Sequence, residues 1–168
     1  PTAAIISTPF PPDDASSGYE RGSSISKAWK ESVANAAIEA ARQIHNDINV
    51  LAKTNSKDKQ RDLKLRSFCF TFATKAFARP LSPAQKKLYI EDIFDADKDS
   101  EIATRRSLML ILTSPYFLYP SLNRGSDGKP DHYTVAAHLA LSLWDSVPDK
   151  ELWEAAKQKR LGKETEIN

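Results

Sequence analysis

Between Trp29 and Leu51 the apolar positions recur at intervals of three and four: Trp29, Val33, Ala36, Ala37, Ala40, Ile44, Ile48 and Leu51. This spacing lays them along one stripe and predicts a long first helix over 27–53, with Ser26 as its N-cap. Its alanines allow a partner helix to come close. Thr54-Asn55-Ser56 breaks it. A second helix is predicted over 58–78, with Leu65, Phe68, Cys69, Phe72, Ala76 and Phe77 inward, and Pro80 ends it because the residue before a proline disfavours the helical region. Ser82 caps a third helix with Pro83 at its first position, where the missing N–H costs nothing. Leu88, Ile90, Ile93 and Phe94 are expected to supply its apolar side.

Asp99 or Ser100 opens a fourth helix that runs through Thr113, and Ser114-Pro115 stops it ahead of the aromatic segment Tyr116-Phe117-Leu118-Tyr119-Pro120. After a polar loop over 123–130, Asp131 or Tyr133 starts a fifth helix over 134–145. Pro148 starts a sixth, with Asp149 and Glu151 placed favourably against its dipole and Gly162 as its stop. Residues 1–22, rich in Pro, Ser and Asp, predict an extended arm that Phe10 and Tyr19 pin to the body. No period-2 pattern of useful length and no repeat is present. The expected architecture is all-α: an irregular bundle of about six helices over 23–168 with an extended N-terminal arm over 1–22. Phe72, Phe77, Leu108, Leu112, Phe117, Leu139, Leu143 and Trp144 are expected to share one core.

Composition narrows the function more than it defines it. The chain has 168 residues, 40% hydrophobic and 27% charged, with a formal net charge of +2. Charges of both signs are mixed along the helices, which argues against a nucleic-acid footprint. No apolar run reaches the length of a membrane span. The chain lacks an initial Met and a closing pattern, and is expected to be a piece of a larger protein or a processed product. Cys69 is the single cysteine, read as a small buried hydrophobe. With no CxxCH, haem c has no attachment point within the chain.

Candidate chemistry is sparse. His45, His132 and His138 lack ligand spacing, since His132 and His138 stand six apart rather than four. The run Asp95, Asp97, Asp99, Glu101 lacks the glycine and the distal Glu of a calcium loop and reads as helix capping. Arg79, beside Pro80, is placed to bond terminal helix carbonyls. Trp144 and Trp153 are expected to join Tyr116, Phe117 and Tyr119 in an aromatic cluster that serves as core or docking surface. No nucleophile elbow supports a Ser/His/Asp triad. The interaction residues singled out are Arg79, Tyr116, Tyr119, His138, Trp144 and Trp153; no cofactor-binding or metal residue is assigned.

Three phrases occur in a telling order. They are Lys75-Ala76-Phe77-Ala78-Arg79-Pro80-Leu81, then Ser114-Pro115-Tyr116-Phe117-Leu118-Tyr119, then Ala136 to Trp144 running into Asp145-Ser146-Val147-Pro148-Asp149-Lys150-Glu151-Leu152. This order resembles the RAFRRPL, SPxFLYR and LASRLSYFLWSSMPDEEL phrases of the helical domains of unknown function in planctomycete-type cytochrome c domain proteins. Phe10-Pro11-Pro12-Asp13 to Gly18-Tyr19 is similar to the segment ahead of that family's long helix. Lys75, Ala78, His138 and Pro120 stand where the family favours basic residues, mostly arginine, and neither Lys nor His reproduces the Arg fork. The resemblance implies a large exported multi-domain parent, periplasmic or otherwise outside the cytoplasm, with haem c elsewhere in it.

The expected function is a helical scaffold or docking module of a larger exported, cytochrome-associated redox protein. Its partner is another polypeptide, either a further fragment of the same gene product or a cytochrome domain. The alternative is part of the active or substrate-binding region of an envelope enzyme acting on carbohydrate or a similar substrate.

Overall fold

The computed structural model describes residues 5–11, 27–120 and 128–161, and among them every regular element is helical. The stripe predicted as one long helix divides into α1 (Lys27–Asn46) and α2 (Ile48–Leu51). The division falls at Asn46-Asp47, where the Asp47 N–H bonds the Ile44 carbonyl three residues back at 3.2 Å. Asn and Asp favour such local alternatives to the helical ladder. The chain then turns at Lys53, with φ 51°, the Lys53 N–H bonding Val50 O and the Thr54 N–H bonding Asn49 O. That pair of bonds is a Schellman ending, built here on a lysine rather than a glycine. Residues 5–11 run extended and antiparallel along α1: Gln43 bonds both the N–H and the carbonyl of Ile5, Glu39 accepts from Ser7 and Thr8, and Ser32 donates to Pro9 O. Tyr19, Ser26 and Gly162 lie outside the described residues.

α3 (Arg61–Ala76) is the centre of the body. Leu65, Cys69, Ala73 and the C-cap residue Phe77 follow one another every four residues and are all essentially inaccessible. α6 (Ser100–Leu112) packs against α3 on one side and α1 on the other. Ala37 and Ala41 of α1 and Ala103 of α6 are buried small residues that permit close approach. Burial pushes the Cys69 thiol up to about 11, against a smaller lowering by the Ser107 and Thr104 hydroxyls. The thiol is therefore protonated at neutral pH, as expected of a structural cysteine.

The third helix begins as the sequence predicts. Ser82 and Gln85 form a reciprocal capping box around α4 (Pro83–Lys86). The helix does not continue regularly. Lys87–Glu91 form a π-helical turn before α5 (Asp92–Ala96). The extra residue per turn rotates the face, so that Tyr89 is buried with Ile90 and Phe94 while Leu88 is 55% exposed. Leu88 thus faces solvent, not the core expected from 3.6-residue periodicity. The turn is held from outside: Ser107 Oγ donates to the Tyr89 carbonyl at 2.7 Å, and Tyr89 Oη lies 2.8 Å from Ser114 Oγ.

Ser114-Pro115 ends α6 but opens α7 (Pro115–Leu118), a single turn capped by Ser114. α8 (His132–Trp144) and α9 (Lys150–Lys157) then form a hairpin, N-capped by Asp131 and by Asp149 rather than Pro148. The two helices pack mainly on each other, around buried Ala136, Ala156 and Leu161. The single core expected from the sequence is therefore two. Phe77 and Leu108 are fully buried and Phe72 packs against the α3 core, but Leu143 and Trp144 stand out in solvent and Phe117 is partly exposed. The helix hairpin carries its own small cluster, which leaves part of α8 uncovered.

Phe77 is 1% exposed, with its ring 5.2 Å from that of Tyr89 and 5.5 Å from that of Tyr116. Phe77→Ala should cost about 3–5 kcal/mol. Leu88→Ala, four residues from Asp92 and outside the core, should stay within about 0.5 kcal/mol. Urea denaturation of both variants checks the rotated register. A large loss at Leu88, or a loss below about 1 kcal/mol at Phe77, would contradict it.

Candidate functional site

The end of α3 decides where Arg79 points. Ala78 takes a left-handed conformation, φ 51°, and the bonds from the Ala78 N–H to Lys75 O and the Arg79 N–H to Thr74 O close the helix. These bonds come from backbone N–H groups, so the Arg79 side chain is released from the carbonyl-capping role expected of it. Its Nη2 instead donates to Asp131 Oδ1 at 3.0 Å and to Thr134 Oγ1 at 2.9 Å. Asp131 Oδ1 also accepts from the Thr134 N–H at 2.8 Å and from its hydroxyl at 2.9 Å. One guanidinium thereby joins the C-terminus of α3 to the N-cap of α8. Partial burial pushes the Asp131 carboxyl upward, but the Thr134 bonds and then Arg79 outweigh it, and its pKa is lowered.

A groove lies near this junction, lined from α3 and from the α8–α9 turn. Between α3 and the α8–α9 turn lies a hollow of about 530 Å³ with Phe70 and Trp153 among its walls and Lys75, Lys150 and Asp149 on its margin. Val147 and Pro148 carry the apolar surface out of it. Leu141, Leu143 and Trp144 at the adjoining end of α8, and Val147 in the turn after it, are all exposed, Leu143 at 64% and Trp144 at 62%. Asp145, with φ 48°, turns the chain at the end of this ridge.

The expected aromatic cluster is not assembled. Trp153 packs edge-on against Tyr133 at 5.5 Å, Tyr116 against Phe77, and Tyr119 stacks on Trp29 at 5.8 Å, while Trp144 stands in solvent. Trp153, Tyr116 and Tyr119 are each taken by a ring on a different element. His138 is an exposed residue of α8. Of the six residues singled out from sequence, Trp153 lines the groove and Trp144 belongs to the ridge; Arg79 ties α3 to the cap of α8, His138 is exposed on α8, and Tyr116 and Tyr119 serve packing elsewhere. The sequence reading missed Asp131 as the partner of Arg79, and Phe70 as a groove wall. Asp131 did carry a local signal, as a cap ahead of a periodic run. Phe70 carried none, since it lies off the inward stripe of α3.

Among the described residues, no group of three or more His, Cys, Asp or Glu side chains is arranged to hold a metal ion. No described helix is long and apolar enough to cross a membrane. Residues 131–168 match PSD4, a family described as a protein of unknown function (DUF1592). No curated protein and no solved structure matches the chain. The C-terminal part thus resembles a domain of unknown function, and the match begins at the residue that Arg79 holds.

A double-mutant cycle of Arg79→Ala and Asp131→Asn should give a coupling of about 0.5–1.5 kcal/mol, since the pair is partly buried and shares Thr134. Asn keeps the cap, so the cycle reports the charge. Because the folded Asp131 pKa is depressed, its contribution is fully present above the unfolded value of about 3.9 and fades as pH falls through the lower folded value. Stability of Asp131→Asn, followed by denaturation between pH 7 and 2, should therefore fall less steeply below about pH 4 than that of the unmodified chain.

Proposed function

We propose that this chain is a helical docking module of a larger exported, cytochrome-associated redox protein, and that the α8 ridge with its adjoining groove is the docking surface. The observation that carries the reading is the exposure of Leu141, Leu143 and Trp144 at the end of α8 and of Val147 in the turn beyond it. Scattered apolar residues on a surface need no explanation, whereas a contiguous group of large ones marks an interaction site. The α8–α9 hairpin shares a small cluster of Ala136, Ala156 and Leu161 with Tyr133, Val135, Leu152 and Ala155 packed on it, and short helices owe most of their stability to packing. A partner seated on the ridge supplies that packing. The likeness of 131–168 to a domain of unknown function and the order of the three phrases support a place within a larger multi-domain protein. The partner under this reading is another polypeptide, a further segment of the same gene product or its cytochrome domain, with haem c bound there and the whole in the periplasm.

The groove favours a second reading. Its aromatic walls, Phe70 and Trp153, flanked by Lys75, Lys150 and Asp149, are suited to a polar ligand with an apolar face, such as a carbohydrate bound by an envelope enzyme.

One experiment separates the two. The parent protein, purified from its source, is cross-linked at position 144 through a photoreactive residue, digested and analysed by mass spectrometry alongside its haem absorbance spectrum. The docking reading expects cross-links from 144 to one defined segment, loss of them in Leu143→Ser, and the bands of covalently bound haem. A parent without haem and with position 144 free of cross-links would overturn it. Quenching of Trp153 fluorescence by oligosaccharide, abolished in Trp153→Phe/Phe70→Ala, would favour the second reading instead.

A further inference from the structure

A separate groove of about 290 Å³ lies between α1 and α6, and its chemistry differs from that of the surface just described. Its floor is apolar: Ile38 and Ala41 from α1, Ile102 and Met109 from α6. Its rim carries three guanidiniums, Arg42, Arg105 and Arg106. Arg106 is committed, with Nη1 at 2.8 and 2.7 Å from the two carboxylate oxygens of Asp97. Glu101 is committed too, held by Arg61 at 2.6 Å and facing His45 Nε2 at 3.7 Å. Among the described residues, neither Arg42 nor Arg105 makes an ion pair with a carboxylate. His45 adds Nδ1, buried and without a hydrogen-bond partner.

The floor thus offers apolar surface, and the rim offers two uncompensated positive charges whose planar forks fit a carboxylate in a two-pronged geometry. A purely ionic ligand leaves the floor wet, and a purely apolar one leaves the guanidiniums unused. A groove of about 290 Å³ has room for a small ligand with a short tail. We propose that this groove binds a small amphiphilic carboxylate, the anion of a medium-chain fatty acid or a compound of the same size and charge pattern. The tail lies over Ile38, Ala41, Ile102 and Met109, and the carboxylate sits between Arg42 and Arg105. The inference is independent of the docking surface, which lies on other helices.

Octanoate, with ten heavy atoms, is the probe. Isothermal titration of the full chain is compared for octanoate, octylammonium, and inorganic phosphate, while two-dimensional NMR of the labelled chain locates the site. Octanoate should bind at one site, at least about tenfold more tightly than either control, because the controls lack the charge sign or the tail. Its largest shift changes should fall on Ile102 and Met109. Arg42→Ala/Arg105→Ala should weaken octanoate by at least about tenfold, and Arg42→Lys/Arg105→Lys by less, since charge survives without the fork. Lys159→Ala, on the hairpin, should leave it unchanged. Octylammonium or phosphate binding as tightly as octanoate, shift changes confined to other helices, or no saturation up to about 10 mM octanoate would each overturn the proposal. Should the alanine pair fail to fold, the shift map and the three-ligand comparison on the unmodified chain still decide it.

Discussion

Leu65, Cys69, Ala73 and Phe77 form a row in which two small side chains sit between two large ones, and their burial sets the distance between α3 and its neighbours. Cys69 and Ala73 allow α6 to come close enough for Ser107 and Thr104 to be completely buried. A buried hydroxyl must find a partner. Thr104 bonds back to Ser100 O at 2.6 Å, and Ser107 bonds the Tyr89 carbonyl. The second bond stabilises a π turn that a regular helix has no use for. The same core therefore fixes the pitch of α3 against α6, the rotation of the segment around Tyr89, and through Ser114 the place where α7 begins.

The row ends at Phe77, and the chain leaves it through a left-handed Ala78. A β-carbon in that conformation costs about 1–2 kcal/mol relative to glycine. The structure accepts this at Lys53, Ala78 and Lys159 alike, each closing a helix with the same pair of backbone bonds. At Ala78 the turn has a consequence beyond ending a helix, because it aims Arg79 at Asp131. A charged and hydrogen-bonded contact thus ties the α8–α9 hairpin to the body, and the cluster the two helices share is small. A hairpin attached in this way has apolar area left over, and the ridge from Leu141 to Val147 is that area.

The two concave surfaces differ in the fate of their charges. In the α3–α9 groove, lysines and an aspartate surround aromatic walls, a mixed surface suited to a polypeptide or a sugar ring. Between α1 and α6, carboxylates at hand are already paired, with Asp97 taken by Arg106 and Glu101 by Arg61. Among the described residues, the remaining arginines, Arg42 and Arg105, have no carboxylate partner. Specificity follows from what is already satisfied as much as from what is present.

The sequence determined where several helices begin. Ser82, Asp99 and Asp131 each accept bonds from N–H groups two or three residues onward, an interaction completed within one turn and therefore readable locally. It also determined the helical class, through periodicity and scarce glycine, and the burial of Cys69. It did not determine where α1 divides, nor the π turn. Both depend on competition between local bonds and packing partners brought in from elsewhere in the chain. The partner of Arg79 lies 52 residues away, and the aromatic rings found partners on elements that only folding brings together. Tertiary structure alone decided these, because apolar character states that a residue gains by leaving water, and says nothing about which surface receives it. Trp144 shows the difference: its periodicity is that of a core residue, and the packing of α8 against α9 leaves it in solvent.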